Sequence, residues 1–432
     1  MATIDPEIGF TSDVIRDPKR FVGRSEVIRD CIKSLNSPLG LIAVYGKRGV
    51  GKSSLLRQVQ QMALADYTLA KDSGLYGSIP DRPRKYVTVY YTCDSMIKTA
   101  ADLLKRLCND QNSEDGLLRL VPNDGKEIVE FSRSAEHSIG VDLKVIDWGA
   151  KGIAESKYAR VVDGDIVQTF RNFVSSIVQH QVKRRLNRDS LLILLDEFDV
   201  IQDKSGLGSL IKSLSSPEVK FGICGIGSDL THLVDDHSSV ERLLEEGAIH
   251  VKPMVPLETR AIFQTAEKLF KEAVRFDPDV VEQIAELSGG YPYLAHLMGK
   301  ECVNIFSQCN EQTVSKKILD IVLADIRSGR AFPTLETAYQ RAIGGADERK
   351  VLLHLFAEQN QDETLLNDDI GRIFLSRVRN EARDLNVNYV DQLLPRLLDK
   401  NFGPALLRVG EKQGVYEFAN PILRLYVRMR NL

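Results

Sequence analysis

The most constraining feature of this chain is an octapeptide, Gly46-Lys47-Arg48-Gly49-Val50-Gly51-Lys52-Ser53. It lies between the apolar run Leu41–Tyr45 and a helical pattern over Ser53–Ala65. It satisfies G-x-x-x-x-G-K-[ST]. In that pattern glycines let successive backbone N–H groups curl around phosphate oxygens, and the start of the next helix adds positive potential. Lys52 is expected to reach the β- and γ-phosphates and Ser53 to ligate Mg²⁺. A glycine turn that merely joined strand to helix would not need a Lys-Ser pair after its last glycine. The context therefore predicts a nucleotide-phosphate site formed by Gly46, Lys47, Arg48, Gly49, Val50, Gly51, Lys52, Ser53 and Ser54.

Further apolar runs suited to buried strands occur at Tyr86–Cys93, Leu191–Leu195, Phe221–Ile226 and Ala248–Val251. Helix-period segments separate them, including Ala101–Leu107 and Val167–Leu186, where Phe170, Phe173, Val174, Ile177 and Val178 form one apolar stripe. Alternating strands and helices imply an α/β fold with a parallel five-stranded sheet. The run Leu191–Leu195 ends in Asp196 and Glu197, the form of a Walker B strand. Asp196 is expected to hold Mg²⁺ through water and Glu197 to polarise an attacking water, which favours hydrolysis over transfer to a substrate. Asp199 reads as a helix-start acid. Acidic residues after an apolar strand also serve as N-caps, and the phosphate loop upstream is what favours the metal reading.

Between Asn109 and Asp165 the alternation dissolves into an insertion, within which a hairpin is expected around Asp147–Gly149, with the lone Trp148 packed on it. From Pro256 the strand pattern stops, and helices are expected at Leu257–Glu272, Pro278–Leu287, Tyr291–Ser307 and Val314–Arg327. The last segment reads as helices at Arg349–Glu358, Asn367–Phe374 and Val387–Lys400, followed by a Gly/Pro-broken ribbon. That is the order of a winged helix. The expected division is a P-loop domain over 1–255 with the insertion at about 109–165, a helical lid over 256–340 and a winged helix over 341–432.

Charge and cysteine usage narrow the setting. The 57 basic and 60 acidic residues leave a net charge of −3, which does not advertise nucleic acid. Six scattered cysteines without a C-x-x-C pair fit a reducing compartment. No targeting signal and no apolar run long enough to span a bilayer is found, so a cytoplasmic protein with no membrane association is expected.

With these residues on the page, the chain resembles the ATPases of the AAA+ and STAND branches, especially archaeal and bacterial ATPases akin to origin-recognition initiators. The resemblance runs from Arg20 to Leu432, the insertion excepted. It implies ATP as the nucleotide, with Mg²⁺. It implies an adenine site at Phe21, Val22 and Gly23 of the F-V-G-R box, and a polar sensor at Ser228 facing the γ-phosphate. It also implies an arginine finger at Arg242 and a nucleotide contact from Pro292 in the turn Gly289-Gly290-Tyr291-Pro292. The initiators carry a second sensor arginine near that turn, and this chain lacks one. The departure implies slow hydrolysis and a switch built on the proline turn.

His232 and His237 sit five residues apart, on different faces of a helix, and do not suggest a metal site. In the final 87 residues thirteen basic and thirteen acidic residues cancel. Still, Arg396, Lys400, Arg408, Lys412, Arg424, Arg428 and Arg430 suit a one-sided phosphate-contacting face. Two readings of the partners stand: a regulator that binds ATP or ADP and forms a homo-oligomer or recruits an effector protein, and a loader onto duplex DNA through the winged helix.

Overall fold

A computed structural model describes residues 4–37, 40–109, 116–121, 166–227, 244, 247–309, 311–359, 372–385, 387, 389–409 and 414–430. The expected hairpin with Trp148 lies outside them, as do Ser228, His232, His237, Arg242 and Lys412. The backbone forms two units. One, the sheet unit, comprises Ile15–Gly46 and Lys52–Val251. The other, the helical unit, comprises Met1–Val14, Lys47–Gly51 and Lys252–Leu432. The sequence division at residue 255 assigns the first fourteen residues and the loop tip to the sheet, whereas both group with the helices.

The sheet unit holds β1 (Leu41–Gly46), β2 (Tyr86–Thr92), β3 (Ser190–Asp196), β4 (Val219–Ile226) and β5 (Ala248–His250), in the order β2-β3-β4-β1-β5. Every pairing is parallel, with Leu41 opposite Phe221, Ala43 opposite Ala248 and Tyr86 opposite Ser190. A parallel sheet covered on both faces needs strands that are apolar throughout, and β3 is buried along its whole length. Its helices are α1 (Ser25–Asn36), α2 (Lys52–Ala63), α3 (Thr68–Asp72), α4 (Ala100–Asn109), α5 (Ile166–Ile177) and α6 (Leu207–Leu214). The expected stripe on α5 is in place: Phe170, Val174, Ile177 and Val178 join the core with Val89, Tyr91 and Ile193, and Phe173 packs at its margin. The helix continues as π-helical Val178–Arg185, a widened turn that ends just before β3.

The helical unit begins with α7 (Pro256–Leu269), α8 (Pro278–Leu287), α9 (Pro292–Phe306), α10 (Lys316–Ser328) and α11 (Pro333–Ile343). In α11 the buried residues Leu335, Tyr339, Ala342 and Ile343 recur at i, i+4, i+7 and i+8, with Pro333 in the first turn and Gly344 closing the end at φ +55°. The N-terminal segment is tied into this unit by Phe10, which is fully buried. Its ring centroid lies 5.3 Å from that of Phe263, 5.7 Å from Phe276 and 6.2 Å from Phe270. Gly299 on α9 makes room for it, since a Cβ there would stand 2.4 Å from the Phe10 ring. The Thr11 amide donates to Nδ1 of His296 at 3.4 Å.

The C-terminal part contains α12 (Asp347–Glu358), β6 (Ile373–Phe374), α13 (Leu375–Asp384), α14 (Val390–Leu398), β7 (Leu406–Arg408), β8 (Val415–Phe418) and α15 (Pro421–Met429). The three strands form an antiparallel sheet in the order β6-β8-β7. Of the helix expected over Asn367–Phe374, residues 367–371 lie outside the described residues; Ile373 and Phe374 pair with β8 instead, and a helix starts at Leu375. A β-branched and an aromatic residue at the turn entrance gain more from a pleated edge than from a helix start. The third helix is shorter than expected and carries Pro395 inside it.

Two arginines of the basic face expected on this segment are turned to backbone carbonyls instead. Arg424 donates to the carbonyls of Ala357, at 3.1 Å, and Gln359, while Arg430 donates to those of Ile326, at 3.1 Å, and Arg327, at 2.5 Å. Arg396 stacks on Phe402 at 3.7 Å and Arg428 faces Glu358. Guanidinium groups that satisfy the orphan carbonyls of helix ends are structural fasteners, not phosphate contacts. Lys400 and Arg408 remain exposed. Among the described residues no helix is long and apolar enough to cross a membrane.

Candidate nucleotide-binding site

In the sheet unit, α2 opens with buried Lys52 followed by Ser53, and β3 ends with buried Asp196. Ser53 Oγ donates to Asp196 Oδ1 at 3.2 Å, and the Glu197 amide donates to the same oxygen at 2.9 Å. The other oxygen, Oδ2, accepts from the Tyr90 hydroxyl at 2.5 Å. The register explains this reach. Thr92 stands opposite Asp196, so Tyr90 is the diagonal neighbour on the same face, within range of a long side chain. One helical turn beyond Ser53, the Arg57 guanidinium lies 3.3 Å above the Tyr90 ring centre. Burial first, then the charge of Asp196, pushes the Tyr90 phenol well above its ordinary range, so it stays a proton donor. The same causes push the Cys93 thiol up to about 12, and burial with Asp196 raises Cys224 strongly; neither is a nucleophile.

Glu197 follows in the left-handed region, at φ 52° and ψ 37°. That costs a non-glycine residue about 1 kcal/mol, and its carboxylate is exposed. Asp199 is the expected helix-start acid, in the first turn of a short helix. It lies in a single 3₁₀ turn, Phe198–Val200, and its Oδ1 accepts from the Ile226 amide at 2.8 Å, which fastens the end of β4. Phe21 is buried and Val22 and Gly23 half-buried just ahead of α1. The Ser54 hydroxyl accepts from the Ile15 amide at 3.0 Å.

The loop itself has positive φ at Gly46 (150°), Gly49 (80°) and Gly51 (92°), conformations that side-chain-bearing residues avoid. Its tip, Lys47–Gly51, is part of the helical unit. A Cβ at Gly51 would lie 3.6 Å from Pro292, and one at Gly49 would lie 2.9 Å from Ile422 in the first turn of α15. Lys47 pairs with Glu417 of β8. Arg48 is exposed at the tip and Val50 is buried. Pro292 is held in place by Gly290, whose carbonyl accepts from the Met254 amide at 2.7 Å and where a Cβ would meet the Met254 carbonyl at 2.2 Å. Burial pushes the neighbouring Tyr291 phenol up to about 12.

The arrangement suits its expected occupants. An all-oxygen pair of hydroxyl and carboxylate is what a hard cation such as Mg²⁺ takes, and the glycine loop running into α2 is an anion cradle. Tyr90, Arg57 and Glu417 are missed by motif reading. Arg57 alone was legible, as the residue four after Ser53 on one helix face; the other two depend on strand register and tertiary packing.

A parallel sheet of this order, with a glycine loop after β1 and a carboxylate pair after β3, defines a P-loop NTPase of the AAA+-like type. The family model "Novel STAND NTPase 1" matches residues 10–301, and the chain belongs to that family of nucleotide-binding NTPases. Among solved structures, the Walker-type ATPase PABY2304 of Pyrococcus abyssi is similar at 15% identity and TM-score 0.46, covering 96% of this chain and 99% of that one. The Aeropyrum pernix ORC1 protein in complex with DNA is similar at 14% identity and TM-score 0.42, covering 97% and 93%. The Thermotoga maritima RuvB Holliday junction branch migration motor follows at 11% identity and TM-score 0.42, covering 94% and 96%. No curated protein matches the sequence.

Proposed function

We propose that this chain is an ATP-driven switch that hydrolyses slowly, with its nucleotide state controlling self-assembly and recruitment of a partner protein. The observation that carries the reading is inside the helical unit. The phosphate-loop tip is already engaged there, with Gly49 beneath Ile422, Gly51 beside Pro292 and Lys47 paired with Glu417. A triphosphate arriving at the loop competes with the Glu417 carboxylate for Lys47, and an anion that wins there loosens the β8–α15 segment. In this reading the segment from 341 is a winged helix that serves as a packing module, and 256–340 is the lid carrying the proline turn.

Lys52 contacts the β- and γ-phosphates, Ser53 and Asp196 hold Mg²⁺, and Phe21, Val22 and Gly23 line the adenine side. Bound Mg²⁺ neutralises phosphate charge. Glu197 orients a water and takes its proton as the water oxygen bonds to the γ-phosphorus and the bond to the ADP oxygen breaks. Ser228 and Arg242 complete the site as sensor and finger in this proposal. The carbonyl-bound Arg424 and Arg430 support packing over DNA contact for the C-terminal segment.

The test is light-scattering mass with ADP, with ATP and with ATP plus duplex DNA, for wild type, Glu197→Gln and Glu417→Lys, alongside phosphate release. ATP-driven oligomers without DNA, formed by Glu417→Lys at lower ATP than wild type needs, are expected. Assembly only with DNA transfers the protein to the loader class. A monomer throughout, with no phosphate released, ends the switch reading.

A further inference from the structure

We propose that Tyr90 is a positioning residue for the metal-binding carboxylate of Asp196, and that Arg57 holds Tyr90 in that role. The inference rests on the nucleotide-site reading above and concerns how that site holds its cation. A carboxylate turns easily about its last torsion, and its oxygens serve a metal only when the plane is fixed. Here several donors fix it: Ser53 and the Glu197 amide on Oδ1, Tyr90 on Oδ2, and the buried Cys224 thiol as a weak additional donor.

The Tyr90 contact differs from the others. Ser53 belongs to the proposed metal shell itself, the amide is backbone, and the Cys224 thiol is a weak donor, so Tyr90 is the strong side-chain donor that orients Asp196 from outside the shell. Its own orientation is set by α2. Ser53 and Arg57, four residues apart on one helix face, reach the same carboxylate by two routes: the hydroxyl directly, and the guanidinium through the ring it covers at 3.3 Å. A cation over the ring face also strengthens the phenol as a donor, because it draws electron density from the oxygen. The helix that carries the phosphate lysine thus carries the support of the metal carboxylate as well, and any shift of α2 changes both together.

Tyr90→Phe removes the hydroxyl and leaves the ring and its stack in place. Removing an outer partner of a metal ligand typically costs ten- to a hundred-fold in metal affinity. The experiment is a titration of fluorescent mant-ATP into wild type and Tyr90→Phe, once with Mg²⁺ and once with EDTA, together with the unfolding midpoint of each. Tyr90→Phe is expected to lose about ten- to a hundred-fold of the Mg²⁺-dependent gain in affinity while its EDTA affinity stays at the wild-type value. Equal losses with and without Mg²⁺, or a lowered midpoint with the Mg²⁺ gain intact, overturn the positioning role and leave Tyr90 a packing residue. Should Tyr90→Phe fail to fold, Arg57→Met, which keeps the apolar stem and removes the stack, is expected to lose part of the same gain; an unchanged gain overturns the proposal. If wild type itself binds mant-ATP equally with and without Mg²⁺, the site reading beneath the proposal falls, and the proposal with it.

Discussion

Phe10 and Gly299 offer a test of how the N-terminal segment is held. The Phe10 side chain is fully buried among Phe263, Phe270, Phe276 and His296, and truncating such a residue to alanine costs about 3–5 kcal/mol. Gly299→Ala is destabilising for the opposite reason. Its methyl would stand 2.4 Å from the Phe10 ring, which has no free direction in which to retreat. Overpacking of that kind costs about 1–3 kcal/mol, offset by about 1 kcal/mol of helix propensity within α9. In the double variant the clash is gone, the propensity gain remains, and the methyl fills part of the vacated space. The two effects are therefore coupled. Phe10→Ala with Gly299→Ala is expected to be more stable than the sum of the single variants by about 2 kcal/mol. Urea unfolding followed by far-ultraviolet circular dichroism, with unchanged m-values, measures all four corners of the cycle. Additivity within about 0.5 kcal/mol would refute the reasoning, because it would mean that the two sites do not share a volume.

Three further outcomes are expected. Gly290→Ala, which places a methyl 2.2 Å from the Met254 carbonyl, is expected to displace Pro292 and weaken mant-ATP binding by tenfold or more; unchanged affinity would separate the proline turn from the nucleotide. Arg424→Ala strips two carbonyls of their donor and is expected to lower stability by about 1–3 kcal/mol, read by chemical denaturation, with no gain or loss in the salt dependence of any DNA affinity. His354 is held down to about 4 by burial, with Lys350 and Arg430 adding to it. The unfolded state then binds more protons between about pH 4 and 6.5, so stability is full above that window and falls as pH drops through it. In His354→Gln the slope of stability against pH there should be smaller by up to one proton.

The sequence exposed the site's skeleton because each part is local. The glycines and Lys52-Ser53 are contiguous, and β3 announces itself as five apolar residues ending in two acids. The five strands and the α5 stripe follow from periods of 2 and 3.6, which burial imposes directly. What stayed hidden is set by distance in the chain. Tyr90 reaches Asp196 only because β2 pairs with β3 in one register, and a shift of one residue would turn it to the other face. Asp199 is legible as a helix-start acid, but its bond to the Ile226 amide depends on the end of β4 arriving beside it. The arginines of the last segment look like a phosphate face because side-chain charge is visible in a sequence, whereas the carbonyls that consume Arg424 and Arg430 are not. Helix α11, with Leu335, Tyr339, Ala342 and Ile343 in one stripe between Pro333 and Gly344, is legible in the sequence although the expected helices stop at Arg327 and resume at Arg349.

The strand order has a consequence for how this protein is made. β1, which leads into the phosphate loop, pairs only with β4 and β5, and roughly 170 residues of chain separate its end from the first of these. At about 5–20 residues per second on the ribosome, β1 waits on the order of ten to thirty seconds with both hydrogen-bonding edges open. During that time the glycine loop has no fixed strand behind it, so a nascent chain stopped before Val219 cannot hold nucleotide, and its apolar edges are available to any other strand. The order that closes the phosphate strand between β4 and β5 in the finished sheet makes the same strand the most exposed hazard of the unfinished one.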